Sequence, residues 1–125
     1  HAWSFRHQLP ALAAAGFRAV APFMRGYAPS AIPADGCYQT AALAEDVVAM
    51  IEALGYDDAV VIGHDWGATA AYGAALAAPK RVRALITAAV PYGTQIVNAF
   101  MTSYAQQRRS WYMFFFQTPF AEGTS

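Results

Sequence analysis

Gly63-His64-Asp65-Trp66-Gly67 is the stretch of this 125-residue chain that decides its fold. Before it comes a short β-branched run, Ala59-Val60-Val61-Ile62, and after it an alanine-rich segment, residues 68–78. The run predicts a buried strand, and the segment predicts a helix. A strand, a tight turn between small residues and a closely packed helix form the kind of turn on which many enzymes display a nucleophile. At the tip, where such turns normally hold serine, this chain has Asp65.

The position of Asp65 suits a carboxylate that attacks carbon. A helix N-terminus favours an anion through its partial positive charge, and a carboxylate needs no neighbouring base to become nucleophilic, unlike a serine hydroxyl. At saturated carbon its attack opens an epoxide or expels a halide and leaves an alkyl ester on Asp65. Hydrolysis of that ester needs a base-activated water and backbone donors for the oxyanion, for which the N–H of Trp66 is the natural first donor. We therefore predict Asp65 as the nucleophile and Trp66 as a backbone oxyanion donor.

The residues of this turn also have structural interpretations. Aspartate is a favoured helix N-cap, and Gly-x-x-x-Gly is common by chance. The flanking strand and helix favour the nucleophile over the cap. Gly63 and Gly67 fit a strained turn at which a Cβ would collide with the neighbouring strand or helix. We expect His64 to be structural because adjacent residues at a sharp turn point apart. Trp66 has two interpretations, as a halide or substrate wall through its indole or as a structural neighbour that contributes only its backbone.

Four segments of the chain resemble the epoxide hydrolase branch of the α/β-hydrolases. They are Trp3-Ser4-Phe5-Arg6-His7-Gln8 with Leu9-Pro10-Ala11-Leu12, Arg25-Gly26-Tyr27, Gly63 to Ala68, and Trp111 to Gln117 with Pro119. The resemblance implies an α/β fold of the α/β-hydrolase type, with a partial parallel sheet flanked by helices and the start of a helical lid. On this basis, residues 1–95 are expected to form a partial core with the nucleophile turn, and residues 96–125 the start of the lid.

The resemblance also implies a role for Tyr112, which falls at the position of the family's first lid tyrosine. A phenol there can donate a hydrogen bond to the epoxide oxygen as the C–O bond breaks, although in so aromatic a run a tyrosine can equally be a packing residue. Family members have a His-Gly-x-Pro oxyanion segment before the position of Trp3. They also have a second lid tyrosine, a charge-relay acid and a catalytic histidine after the lid begins. We therefore expect the chain to be an internal fragment that is inactive alone.

The rest of the chain alternates between helical and strand patterns, which is typical of a parallel α/β sheet. It predicts helices over residues 3–15, with a break or kink at Pro10, and over residues 38–54. It predicts further strands over residues 17–21 and 82–90. The acids of the second helix are assigned to its solvated face, and two more to a turn: Glu45, Asp46, Glu52, Asp57 and Asp58. None has a metal-ligand spacing with histidine, so no metal and no cofactor are expected.

The composition excludes several classes of function. A net charge of zero with 57% apolar and 13% charged residues gives no basic surface for nucleic acid. No apolar stretch approaches the roughly 18 residues of a membrane span. The single cysteine, Cys37, suits a reducing compartment, which predicts a cytoplasmic protein. The expected partner is a small apolar epoxide or a related electrophile, and the oligomeric state stays open.

Three functions remain at this point. The first is epoxide hydrolysis by Asp65 with Tyr112. The second is dehalogenation through the same ester: haloalkane enzymes resemble this turn with its tryptophan, whereas haloacetate enzymes typically have arginine at the position of Trp66 and tryptophan at that of Tyr112. The third is a catalytically incomplete fragment or binding module.

Overall fold

The computed structural model describes residues 2–115 and residue 118. A 3-10 helix, Ala2–Phe5, precedes α1 (Gln8–Ala14), α2 (Thr40–Ala53), β1 (Ala59–His64), α3 (Trp66–Ala77), β2 (Val82–Ala88), α4 (Thr94–Thr102) and α5 (Tyr104–Phe115). These elements belong to two compact units, one ending at Ala89 and one starting at Val90. The predicted α/β class is confirmed, since a parallel sheet is flanked by helices.

The strands β1 and β2 pair in parallel, and α3 is the crossover between them. The register runs from Val60 opposite Ala84 to His64 opposite Ala88. Parallel neighbours require such a crossover because the chain must return to the same end of the sheet. The carboxyl ends of both strands therefore lie at one edge, and the turn from β1 into α3 is at that edge.

The core of the first unit is made of small side chains. Helix α3 contacts both strands and also α2. Its buried residues are Ala68, Ala70, Ala71 and Ala74. The buried residues of α2 are Leu43, Ala44 and Ile51. A Cβ on Gly73 of α3 would lie 2.9 Å from the Ala44 Cβ, so the two helices approach each other closely at this glycine.

The first predicted helix is interrupted earlier than expected. The break falls at Arg6 and His7, between the 3-10 helix and α1, rather than at Pro10. Pro10 is the third residue of α1, where a backbone N–H would have no intrahelical acceptor, so its missing donor costs nothing there. Helix α1 closes before Gly16, whose φ of 89° is a conformation that favours glycine.

The strand predicted over residues 17–21 is wrong, because these residues are not in a strand. The N–H of Phe17 donates to the carbonyl of Leu12 at 3.1 Å, which closes α1 instead of starting a ladder. A strand exists only with a hydrogen-bonded neighbour, and the sheet in the described part of the chain contains β1 and β2 alone. The strand predicted over residues 82–90 is confirmed but ends at Ala88, because Ala89 has a φ of 71° that extended backbone does not allow.

The second unit contains α4 and α5. In α5, the rings of Trp111 and Phe115 pack with their centroids 5.8 Å apart, and the buried Ser110 hydroxyl accepts a hydrogen bond from the Gln106 side chain at 2.7 Å. None of the helices described is both long and apolar enough to cross a membrane. The assignment of residues 96–125 to a lid stays a prediction.

Candidate active site

Asp65 is the single residue between β1 and α3, and its backbone is strained. Its φ of 55° and ψ of −124° are uncommon for any residue other than glycine. The N–H of Asp65 donates to the Ala88 carbonyl at the end of β2, at 3.4 Å, and its carbonyl accepts from the N–H of Ala68 at 2.8 Å. Strained backbone of this kind clusters at functional sites, where the surrounding structure holds it in place.

The two glycines beside the turn have different roles. A Cβ on Gly63 would meet the carbonyl oxygen of Gly67 and would lie 2.7 Å from the Cα of Ala68. The expectation of a close approach is therefore confirmed at Gly63, where only glycine lets α3 start directly against β1. It is wrong at Gly67, where a Cβ would meet only the sulfur of Met24, at an ordinary contact distance of 3.9 Å.

The side chain of Asp65 does not cap α3. It occupies the N-cap position without a side-chain hydrogen bond to the helix, and the residue is exposed. Within the described part of the chain, its carboxylate takes part in no hydrogen bond or ion pair. The N-cap interpretation therefore has no support in the structure, and the carboxylate is available to a ligand.

Trp66 opens α3, so its backbone N–H is among the first N–H groups of the helix, which have no intrahelical acceptor. Trp66 as a whole is 54% exposed. It lines a cleft of about 320 Å³. The other residues that line this cleft are Met24, Arg25, Gly26, Tyr27, Tyr38 and Leu43. Trp66 therefore combines a backbone donor at the helix start with an indole in an open cleft, as both of its predicted roles require.

Arg25, in the wall of this cleft, is held by a bidentate ion pair. Its Nε and one terminal nitrogen each lie 2.6 Å from a carboxylate oxygen of Asp46, and its other terminal nitrogen donates to the Cys37 carbonyl at 2.9 Å. These hydrogen bonds to Asp46 raise the pKa of the Arg25 guanidinium above its ordinary value, which keeps it charged. The Asp46 side chain is 41% exposed, so its assignment to the solvated face of the helix holds in part, but the helical pattern did not predict its ion pair with Arg25.

Two other acids, Glu52 assigned to the solvated face of the helix and Asp58 assigned to a turn, also bind arginines. Arg81 donates to the Glu52 carboxylate at 2.8 Å, and Arg83 donates to the Asp58 carboxylate at 2.7 Å. Both pairs are largely solvent-exposed, so each adds little to stability.

His64 lines a second cleft, of about 250 Å³, on the first unit. Ser4, Phe5 and Gln8 are among the other residues that line it. Trp66 lines the first cleft and not the second, so residues on the two sides of Asp65 serve different clefts. No carboxylate pairs with His64 in the residues that the structure describes. The structural role of His64 stays a prediction.

Tyr112 lies on α5 of the second unit and is 47% exposed. Asp65 belongs to the first unit and Tyr112 to the second, and each unit is described by itself. Gln117 and Pro119, which carry the alignment of Tyr112 with a lid tyrosine, lie outside the described residues. The role of Tyr112 therefore stays a prediction. Among the residues described, no group of three or more His, Cys, Asp or Glu residues is placed to hold a metal ion.

Comparisons with known proteins identify the family. A family model described as the alpha/beta hydrolase fold matches residues 1–124. An epoxide hydrolase of Caballeronia sordidicola is 44% identical over 94 residues, which cover 74% of this chain and 29% of that protein. Epoxide hydrolase 3 of Siraitia grosvenorii is 34% identical over 123 residues, covering 94% of this chain and 38% of that protein.

The similarity extends to solved structures. A crystal structure of Bacillus megaterium epoxide hydrolase in complex with an inhibitor matches with a TM-score of 0.87 and 32% identity, covering 97% of this chain and 43% of that one. An epoxide hydrolase from an endophytic Streptomyces matches with a TM-score of 0.65 and 39% identity over 82% of this chain and 33% of that one. The chain thus spans less than half the length of each of these relatives. It belongs to the α/β-hydrolase fold family, in the epoxide hydrolase branch.

Proposed function

We propose that the protein hydrolyses small apolar epoxides through an ester on Asp65. The observation that carries this proposal is the exposed Asp65 carboxylate, displayed on a strained turn without capping α3. A residue that served only to cap the helix would bond to the N–H groups of its first turn. The relatives are epoxide hydrolases, and the single cysteine, Cys37, fits the reducing conditions of the cytoplasm.

The proposed reaction has two steps. In the first, an Asp65 carboxylate oxygen attacks an epoxide carbon, the ring C–O bond breaks, and the epoxide oxygen takes a proton from the Tyr112 hydroxyl. In the second, an activated water attacks the carbonyl carbon of the ester, and the N–H of Trp66 donates to the oxyanion that forms. The diol then leaves with one former Asp65 oxygen, and the carboxylate is rebuilt with the oxygen of water. Of the two protons of that water, one goes to the departing diol oxygen and the other restores the Tyr112 hydroxyl.

Asp65→Ala tests the role of the nucleophile. We expect the substitution to abolish diol formation by the intact protein, because no other described residue is displayed in this way to form the ester. Asp57→Ala is the matched control, since Asp57 is an aspartate of the same unit that lies in an exposed turn. Diol formation is measured by chromatography with an aryl epoxide. Turnover of Asp65→Ala at the rate of the unchanged protein would overturn the proposal.

Tyr112→Phe tests the acid. Removing one hydroxyl while keeping the ring should slow ester formation by about 10²- to 10³-fold, by analogy with the loss of one oxyanion donor. The burst of ester is measured by rapid quench and mass spectrometry. Tyr104→Phe is the control, because Tyr104 is an exposed tyrosine of the same helix. An unchanged burst in Tyr112→Phe would make Tyr112 a packing residue and would favour dehalogenation.

Dehalogenation is the second candidate, and the observation that favours it is the half-exposed Trp66 next to Asp65. The indole N–H can donate a hydrogen bond to a departing halide. The indole ring can equally form a wall against an epoxide substituent. The two functions differ in their products. Halide release from a haloalkane, faster than diol release from the corresponding epoxide, would select dehalogenation.

A further inference from the structure

We propose that Arg25 is a positioning residue that fixes two walls of the cleft lined by Trp66 and so favours an aryl over a methyl substituent there. The inference rests on the proposed epoxide chemistry, because the substituent belongs to the molecule that Asp65 attacks. It adds a determinant of substrate choice that lies forty residues before Asp65 in the sequence.

Arg25 joins three segments of the first unit. Two of its nitrogens bind the two carboxylate oxygens of Asp46, on α2, both at 2.6 Å. A third binds the carbonyl of Cys37, in the segment before α2, at 2.9 Å. The Arg25 side chain is only 19% exposed. The planar guanidinium makes all three bonds at once, which a lysine ammonium cannot do with the same geometry.

Two walls of the cleft depend on these bonds. Met24, Gly26 and Tyr27 are neighbours of Arg25 in the chain and line the cleft. Tyr38 also lines it and directly follows Cys37. The two walls touch, since a Cβ on Gly26 would lie 2.7 Å from the Tyr38 ring. A change at Arg25 therefore moves both walls relative to Trp66.

The size and lining of the cleft indicate what it accepts. Its volume of about 320 Å³ is at the lower end of the roughly 300–1,000 Å³ that small-molecule sites occupy. It therefore has room for one substituent and not for a large molecule. The aromatic side chains of Tyr27, Tyr38 and Trp66 line it and favour a flat apolar group. The occupant that we infer is an aryl substituent of the epoxide.

Arg25→Lys and Arg81→Lys form a matched pair of variants. Arg25→Lys keeps the positive charge but loses the bidentate geometry with Asp46. Arg81 also binds one carboxylate and one backbone carbonyl, those of Glu52 at 2.8 Å and Asp57 at 3.0 Å, although its side chain is more exposed than that of Arg25, 34% against 19%. Arg81 does not line the cleft. Arg81→Lys therefore shows what the loss of an arginine's carboxylate and carbonyl contacts does when the cleft is not involved.

The readout is the ratio of ester formation rates on Asp65 with styrene oxide and with propylene oxide, in single turnover of the intact protein. A ratio is independent of the fraction of folded protein, so partial unfolding alone does not change it. We expect Arg25→Lys to lower the ratio of the styrene oxide rate to the propylene oxide rate by about tenfold, because a small displacement of the walls misplaces the aryl group more than the methyl group. Arg81→Lys should leave the ratio unchanged.

The outcomes separate this inference from the function on which it rests. If Arg25→Lys lowers the melting temperature but keeps the ratio, or if Arg81→Lys changes the ratio equally, Arg25 is only structural and the inference is overturned. If neither epoxide alkylates Asp65 in the unchanged protein, the proposed function fails first and the inference with it. Should Arg25→Lys not fold, Asp46→Asn weakens the same pair and must shift the ratio in its place for the inference to stand.

Discussion

At Asp65 the backbone holds a conformation that costs a non-glycine residue about 1–3 kcal/mol. Its φ of 55° is maintained by hydrogen bonds on both sides of the residue, to Ala88 and from Ala68. The close approach at Gly63 brings the start of α3 directly against β1. Together these contacts leave Asp65 exposed at the tip of the turn.

Gly63→Ala tests this close approach. The new Cβ would collide with backbone at Gly67 and Ala68, which cannot move without displacing α3, so we expect a loss of about 1–3 kcal/mol in the free energy of unfolding. Gly67→Ala is the control, because the same methyl group would meet only the Met24 sulfur at 3.9 Å. Urea denaturation of both variants makes the comparison. Equal stability of the two variants would contradict the assigned role of Gly63.

The structural position of a single residue can be predicted from the sequence only where the residue belongs to a local pattern. Asp65 and Trp66 follow from five consecutive residues and their flanks, which together specify a strand, a turn and a helix. The ion pair of Arg25 with Asp46 could not be predicted in this way. It joins a loop to a helix 21 residues later, and the helical pattern alone assigned Asp46 to solvent. Long-range pairs of this kind depend on how loops fold over helices.

At the scale of elements, the turn at Asp65 depends on the contact between α2 and α3. Gly73 lies against Ala44 and Thr40, with a Cβ position 2.9 Å and 3.2 Å from their side chains. Small residues at such a contact let two helices approach closely, and interiors packed to crystal density do not absorb an added methyl group without cost. The register of α3 on the sheet therefore depends on the absence of a side chain at Gly73.

A double-mutant cycle of Gly73→Ala and Ala44→Gly tests this contact. Gly73→Ala adds a methyl group against Ala44, and Ala44→Gly removes the methyl group that it meets. Changes in helix propensity occur in both arms of the cycle and cancel, so the coupling reports the contact. We expect the double variant to be more stable than the sum of the single changes by about 1 kcal/mol. Additive changes in the free energy of unfolding would show that the helices do not meet there.

Elements were predictable where their pattern was long or flanked by clear signals. Helix α2 was expected over residues 38–54 and is observed at Thr40–Ala53, because its apolar spacing is regular and Gly55 ends it. The apolar pattern of residues 17–21 is similar to that of a strand, but these residues have no neighbouring strand in the described sheet. The pattern of a strand describes its faces and says nothing about its neighbours, so pairing is the part that the sequence could not show.

At the scale of the molecule, the proposed chemistry is divided between the two units. The proposed nucleophile is in the first unit and the proposed acid, Tyr112, is in the second. The roles of the two residues are therefore tested by separate substitutions. Asp65 rests on geometry that the first unit shows by itself, whereas Tyr112 rests on resemblance and on its position in α5.

A single turnover in oxygen-18 water tests the central claim, that Asp65 attacks the epoxide directly. The intact protein in excess over an aryl epoxide is quenched after one turnover, and the masses of the diol and of the peptide containing Asp65 are measured. The account predicts an unlabelled diol and one labelled oxygen in Asp65, because the oxygen added to the epoxide comes from the carboxylate and water replaces it. A labelled diol with an unlabelled Asp65 would show that water attacks the epoxide directly and would contradict the account.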